Sequence, residues 1–256
     1  MSGFLNSIGR LRAPKRPPPP GVGNYYDPTS PLPIPSPSSD LLPSPETPLT
    51  KPLYLCPPFV KAALVKGSFK TIVKVPAYVD GNEWVAIGLF DFYHMLNHFY
   101  TALTDFCTIQ NCPMMTAGPT LYFLWPDANR RPTAIPAPVY IDYAMTAVQK
   151  ALEDESIFPT KANNGFSDTF PQSARSMYKS LFRVFAHIYH SHFEQILHLS
   201  LEAHFNSLFA HFLAFGHEFH LGRMEELMTS NGVGQGVWEL REKWVEMGIL
   251  EPESDR

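Results

Sequence analysis

The spacing of apolar residues between positions 85 and 106 predicts a long amphipathic helix. Apolar side chains recur there at alternating steps of four and three residues, which places them on one stripe of a helix of about six turns. The stripe consists of Val85, Leu89, Phe92, Leu96, Phe99, Leu103 and Phe106. Asp80, followed three residues later by Glu83, is typical of a capping box at the amino end. Pro113 requires the helix to end before it.

Similar patterns predict further helices and one β-hairpin. A second helix begins near Pro138 and carries the apolar residues Ile141, Ala144, Met145, Val148 and Leu152. Two apolar stripes make residues 173 to 219 helical as well. Residues 120–136 contain two short extended runs around an Asp-Ala-Asn turn, which is typical of a hairpin. We therefore expect an all-α helical bundle with a short β-hairpin.

The distribution of prolines separates an arm from the helical part of the chain. Of 26 prolines, 14 lie in residues 14–52, and none lies between Gln172 and Glu251. Residues 1–52 are therefore predicted to be a disordered Pro/Ser-rich arm, with order beginning near Leu53. At its start, residues 1–12 combine an apolar helical stripe with basic side chains, which predicts either a short amphipathic helix for a membrane surface or partner, or a frayed terminus.

Net charge limits the classes of partner. The whole chain carries −4, and residues 53–256 carry 15 basic and 21 acidic side chains. An acidic surface argues against nucleic acid as a ligand and favours a protein partner with a basic face. No apolar run reaches the roughly 18–20 residues that span a bilayer, so we expect no transmembrane segment. Three cysteines do not form a disulfide framework, which favours a cytoplasmic or nuclear location.

Cysteines and histidines suggest a metal site. Cys107 and Cys112 flank a short segment after the first long helix, and eight of the ten histidines lie between His187 and His220. Structural zinc commonly takes two thiolates and two imidazoles. On an ideal helix His187 and His192 differ by about 140° in direction, so helical spacing alone pairs His187 with His190 instead. Buried thiols beside hydrogen-bonded histidines are the alternative interpretation.

Motifs of catalysis are not evident in the sequence. The HEFH stretch differs from the HExxH motif of zinc proteases, and GVGQG near Gly232 follows no predicted strand, so we expect a flexible tail there. A zinc hydrolase that uses the histidine-rich helices stays an alternative hypothesis.

Several sequence blocks between about Leu53 and Phe219 resemble the Mob/phocein family of kinase co-activators. They occur in the family's order: NEW at 82–84, DFCT at 105–108, CPMMTAGP at 112–119, APVYIDY at 137–143, FPTK at 158–161, LFRVFAHIYHSHF at 181–193 and EAHFNSLFAHF at 202–212. The segments at 53–73 and 197–216 are most similar to the second Mob subfamily of fungi. Members of that subfamily partner NDR-type AGC kinases in polarised growth.

The resemblance implies a four-helix-bundle core with a structural zinc, and a regulatory rather than catalytic role. By motif position the zinc ligands are Cys107, Cys112, His187 and His192, with His192 in place of His190. The kinase contact, which receives the basic N-terminal extension of the kinase, falls on Asp80, Glu83 and Trp84. Sites of polarised growth or septation are the locations that the resemblance adds to the cytoplasm and nucleus.

The first Mob subfamily also has a basic pocket for phosphothreonine motifs of upstream kinases and scaffolds. Its positions correspond to Arg130, Arg131, Lys179 and Arg183. Ser180 replaces the middle arginine of this pocket, which removes one phosphate clamp of about 1.5–3 kcal/mol. A phosphopeptide-binding adaptor of mitotic-exit or Hippo type is therefore the alternative function.

The carboxyl end departs from the resemblance. After HEFH, residues 221–256 do not match the family's final helix, for which we suspect a gene-model or splice difference. This divides the chain into the arm at 1–52, the zinc-stabilised helical domain at 53–220 and a divergent tail at 221–256. Without the family's last helix the bundle is expected to lose cover.

Overall fold

A computed structural model describes residues 51–61, 68–160, 165–228 and 236–252 of the chain. The predicted arm lies outside these residues except for Lys51 and Pro52. A short 3-10 helix at Leu53–Leu55 precedes the α-helices, which are α1 (Phe69–Ile72), α2 (Gly81–Thr101), α3 (Ala137–Glu153), α4 (Phe170–His198), α5 (Glu202–Glu218), α6 (Met224–Leu227) and α7 (Val237–Glu246). The architecture is mostly helical, as predicted. No helix in these described ranges is long and apolar enough to cross a membrane.

The first long helix, α2, begins as its sequence predicts and ends earlier. The Asp80 side chain accepts hydrogen bonds from the backbone N–H groups of Asn82 and Glu83, at 2.8 and 3.2 Å, and so satisfies two free donors of the first turn. The helix stops at Thr101 instead of continuing to Phe106. Turns follow, in which Cys107 N–H donates to the Leu103 carbonyl at 2.9 Å. Leu103 and Cys107 consequently point inward, whereas Phe106 is exposed.

The core lies where α2, α3 and α5 pack around α4. Most side chains of the middle of α4 are fully buried, including Leu181, Phe185 and Tyr189. Phe185 meets Phe205, Phe209 and Phe212 of α5 with ring centroids 4.9–5.5 Å apart. Burying one such side chain stabilises the fold by about 1.5–3 kcal/mol, so this aromatic cluster joins α4 and α5 strongly.

The helical stretch predicted from 173 to 219 is divided into α4 and α5. The break falls at residues 199–201, where Ser200 takes a positive φ of 55°. Leu201 N–H donates to the Ile196 carbonyl at 3.0 Å, which closes the end of α4. The two apolar stripes identified in the sequence therefore belong to two helices that turn their stripes toward each other.

The predicted hairpin is present, and a second small antiparallel sheet accompanies it in the described part of the chain. Strands β3 (Trp125–Pro126) and β4 (Pro132–Thr133) form the hairpin expected within 120–136, with Trp125 opposite Thr133. Strands β1 (Met115–Thr116) and β2 (Tyr122–Phe123) form a second pair, with Met115 opposite Phe123. Strands of two residues are too short to show the period-2 alternation that reveals a strand in a sequence.

The carboxyl end of the chain covers the bundle. Buried apolar side chains extend through it, namely Leu221, Met224, Leu227, Met228, Val237, Leu240, Trp244 and Leu250. Trp244 is fully buried, and its ring contacts that of Phe209 with centroids 5.9 Å apart. The expected loss of cover is therefore wrong, because α6 and α7 supply apolar surface of their own. Of the GVGQG stretch, where a flexible tail was expected, Gly236 is buried directly before α7, and residues 232–235 lie outside the described residues.

Candidate functional site

Four buried side chains meet between α4 and the loop that follows α2. The ligand atoms of Cys107, Cys112, His187 and His192 all lie within 4.8 Å of one another. Cys107 Sγ is 3.6 Å from His187 Nε2, and Cys112 Sγ is 3.4 Å from His192 Nε2. Each of the four residues is at most 6% exposed. The structure thus brings together the set that the family resemblance indicated.

Two of the distances between these atoms match those around a tetrahedral metal ion. With Zn–S bonds of about 2.3 Å and Zn–N bonds of about 2.0–2.1 Å, the S···N edge of a tetrahedron measures about 3.6 Å. The two S···N distances of 3.6 and 3.4 Å agree with that edge. A Cys₂His₂ group of this size can hold one metal ion with all four ligands from the protein.

Helix α4 brings His187 and His192 together without any break. An ideal helix places Ser191 between the directions of the two histidines, about 40° from His187. Ser191 is small, and its Oγ lies 3.3 Å from Thr116 Oγ1 of β1. The imidazoles of His187 and His192 can therefore converge over Ser191, next to the two cysteine sulfurs. His190 points to solvent, so the pairing with His187 expected from helical spacing is wrong.

Contacts around the cluster orient its ligand atoms. His187 Nδ1 lies 2.8 Å from the Thr116 carbonyl, to which a protonated Nδ1 donates, leaving Nε2 with its lone pair toward the two thiols. The loop is closed by Cys112 N–H, which donates to the Thr108 carbonyl at 2.8 Å. The Cys112 carbonyl accepts from Ala137 N–H at 2.9 Å, which links the ligand to the start of α3.

Burial controls protonation in the cluster. It lowers the pKa of His187 and of His192 to about 4, which keeps both imidazoles neutral. Burial first, and then the neighbouring Cys112 charge, raise the pKa of Cys107 to about 12. Neutral imidazoles are ready to coordinate, whereas the thiols need a cation that offsets the cost of forming buried thiolates.

A second feature is the outer face of α2, which combines acidic and apolar side chains. Asp80, Glu83 and Asp91 are exposed. Ile87, Phe90 and Met95 are large apolar residues that are nevertheless 50–52% exposed. Helix α2 contains no lysine or arginine. We call these six residues the α2 surface.

Of the three kinase-contact candidates, two lie on this surface and one packs beneath it. Asp80 and Glu83 are exposed, although Asp80 also caps the helix. Trp84 is half-buried, and its Nε1–H donates to the Val73 carbonyl at 3.0 Å. Sequence reasoning missed Ile87, Phe90 and Met95. They lie off the buried stripe of α2, and that position of large apolar residues was the signal for them.

The four phosphopeptide-pocket candidates take part in contacts within the protein or remain exposed. Arg183 Nη1 donates to the Tyr140 hydroxyl, and its guanidinium carbon lies 4.9 Å from the centre of the Phe123 ring. Arg131 Nε pairs with Asp127 Oδ2 at 3.1 Å. Burial first, and then nearby Arg183, lower the pKa of half-buried Lys179. Arg130 is exposed in the β3–β4 turn. The phosphopeptide role stays a prediction.

Comparison with known proteins places these features in a family. A sequence model of the Mob1/phocein family matches residues 61–230, ten residues beyond the 220 boundary expected from the sequence. The maintenance of ploidy protein mob2 of Schizosaccharomyces pombe is 49% identical over 169 residues, which are 66% of this chain and 69% of that protein.

Two further relatives are named CBK1 kinase activator protein MOB2. The Candida albicans protein is 48% identical over 66% of this chain and 54% of its own length. The Saccharomyces cerevisiae protein is 46% identical over 68% of this chain and 61% of its own length. The matched part of this chain thus spans less than two thirds of both activators. Taken together, the extent of the family match and these identities show that the chain belongs to the Mob1/phocein family.

Proposed function

We propose that this chain is a non-catalytic regulatory subunit that binds and activates an NDR/LATS-type AGC Ser/Thr kinase through the kinase's basic N-terminal extension, in cell polarity and morphogenesis signalling. The observation that carries the proposal is the α2 surface, which has three exposed carboxylates and three exposed apolar side chains on or next to a helix without lysine or arginine. Its support from relatives is that two MOB2 proteins are named activators of the CBK1 kinase.

The chemistry of the α2 surface suits a basic amphipathic segment. Apolar residues of such a segment would cover Ile87, Phe90 and Met95, gaining about 25 cal/mol for each Å² removed from water. Its lysines and arginines would face Asp80, Glu83 and Asp91, which speeds encounter and selects the orientation of binding. Activation then requires that the chain bind the active arrangement of the kinase more tightly than the inactive one.

We propose zinc as the occupant of the Cys₂His₂ cluster, in a structural role. Two sulfur and two nitrogen ligands are typical of structural zinc, and four protein ligands leave no position for a reacting water. The ion would join the loop after α2 to α4. The protein's own residues hold this arrangement, since the Thr116 carbonyl orients His187 and the Ala137 N–H holds Cys112.

A reconstituted kinase assay tests the proposed function. The zinc-loaded chain is added to a purified NDR-type kinase, and phosphorylation of a peptide substrate is measured against the kinase alone. We expect a saturable increase in kinase activity, and no phosphorylation by the chain alone. An unchanged rate at every concentration of the chain would refute the activator role.

A further inference from the structure

Residues near the carboxyl end of the chain and in α5 bind the backbone of residues 59–61, at the start of the described fold. We call residues 236–252 the C-terminal segment. Trp244 of this segment is fully buried, and its Nε1–H donates to the Val60 carbonyl at 2.7 Å. Asn206 of α5, also fully buried, donates through Nδ2 to the Phe59 and Lys61 carbonyls at 2.7 and 3.1 Å. Two side chains thus bind three consecutive carbonyls of residues 59–61.

The same segment also contacts α1. Glu251 Oε1 pairs with Lys70 Nζ at 2.6 Å. The Glu251 carbonyl accepts a hydrogen bond from Arg241 Nη2 at 3.3 Å, which ties the end of the segment back to α7. Ile249 and Leu250 line a cavity of about 540 Å³ together with Phe69 and Val73. The C-terminal segment and α1 therefore line the same cavity and are joined by the Lys70–Glu251 pair.

On its other side α1 is tied to the start of α2. Trp84 Nε1–H donates to the carbonyl of Val73, the residue directly after α1. His211 of α5 contacts both Phe69 of α1 and Phe92 of α2, with ring centroids 6.4 and 5.0 Å apart. A helix of four residues is not stable alone, so its position depends on these contacts. Ile72 of α1 and Val75 after it are exposed apolar residues.

We infer that the C-terminal segment is a positioning element for the α2 surface. Trp244 holds residues 53–61, and Glu251 holds α1 through Lys70. Helix α1 in turn holds the amino end of α2 through Trp84. This inference rests on the proposed function for its consequence in kinase binding. Trp244 and Glu251 contact no residue of the α2 surface in the described contacts, so their effect on binding is indirect. The arrangement makes residues after 236 necessary for binding at a helix that begins at residue 81.

Hydrogen exchange of the free protein tests the positioning without any kinase. Trp244→Phe keeps a buried ring and removes the N–H donor to Val60. We expect amide exchange in residues 53–61 and 68–73 to become about tenfold faster, as for the loss of one buried hydrogen bond. Trp238→Phe is the matched control, since Trp238 lies half-buried on the same helix. In this control, exchange in residues 53–61 and 68–73 should stay as in the wild type. Equal exchange in the two variants would overturn the inference.

Binding of the isolated N-terminal extension of an NDR-type kinase gives the second measurement. We expect Trp244→Phe to bind it several-fold more weakly than Trp238→Phe does. Faster exchange with unchanged affinity would overturn the link to the α2 surface. Failure of the wild type to bind the extension would contradict the proposed function instead, and the exchange comparison would still decide whether the segment holds α1.

A surface variant keeps the test independent of core packing. Glu251→Gln removes the ion pair with Lys70 without changing any buried side chain. Its control is Glu246→Gln, which removes a longer pair within α7, with Lys243 at 4.0 Å. We expect faster exchange at 68–73 in Glu251→Gln alone. Exchange at 68–73 that is identical in both glutamine variants would remove Glu251 from the positioning role.

Discussion

The two histidines among the metal-ligand candidates depend on neighbouring residues for their positions. Ser191 leaves space between His187 and His192, and the Thr116 carbonyl selects the nitrogen that faces the thiols. Because all four ligands are buried, the cluster has no solvent to replace a missing ion–ligand bond. The stability of this region should therefore depend on each ligand separately.

Substitution of one thiol tests the metal centre. Cys107→Ser should lose the zinc and lower the free energy of unfolding by more than about 4 kcal/mol, in the range seen for loss of a structural metal. For a chain of this length that lowers Tm by about 10 °C. Metal content by elemental analysis and Tm by circular dichroism are the measurements. Cys56→Ser is the control, since Cys56 lies outside the cluster, and zinc-free wild-type protein with an unchanged Tm would contradict the account.

The lowered pKa of His211 predicts how the stability of the fold changes with pH. Burial lowers its pKa, and the nearby Asp91 opposes the shift. The unfolded chain, with a histidine pKa of about 6.5, binds a proton first, so acidification below that value destabilises the fold. Between about pH 7.5 and about pH 5.5, His211→Gln should lose less Tm than the wild type. Exposed His204→Gln should behave as the wild type, and equal losses in all three proteins would contradict the role of His211.

At the residue scale the sequence could predict ligand types but could not choose between neighbouring histidines. Helical spacing favours His190, because it treats each side chain as a direction from the helix axis. The structure selects His192, since imidazoles are long enough to converge across a small Ser191. Only a family resemblance or a structure contains that information.

At the scale of the helices, α2 carries both a buried and an exposed set of apolar residues. Its buried stripe was visible in the sequence as far as Leu103 because the steps of four and three residues are regular. The end at Thr101 was not predicted, because Leu103 and Phe106 continue the apolar spacing of the helix into the turns that follow it, where Leu103 is buried and Phe106 is exposed. The exposed set was missed because apolar residues at polar positions have no period of their own.

The exposed set gives a prediction at this scale. Phe90→Asp should weaken binding of a kinase N-terminal extension by at least about tenfold, because a charge would be buried where an aromatic ring is expected to be covered. Phe90 is 50% exposed, so Tm should change little. Tyr143→Asp alters an equally exposed ring on α3, outside the α2 surface, and should leave affinity unchanged. Isothermal titration calorimetry measures the affinity of both variants for the extension. Equal affinities of Phe90→Asp and Tyr143→Asp would exclude Phe90 from the contact.

At the scale of the whole molecule, distant parts of the sequence are joined around α4. The Cys₂His₂ cluster joins residues 107–112 to α4, and Trp244 joins the C-terminal segment to residues 53–61. The all-α class and the aromatic core could be predicted from periodicity alone. The covering role of residues 221–228 and 236–252 was not predicted, because these residues do not match the family's final helix and because α6 and α7 are short, at 4 and 10 residues.

The most direct test of the account is a calorimetric titration of the zinc-loaded chain with the isolated N-terminal extension of an NDR-type kinase, at low and at high salt. An acidic surface that binds a basic segment predicts one bound extension per chain, with affinity that decreases as salt screens the charges. Absence of binding at low salt, or an affinity that salt does not change, would contradict the central claim.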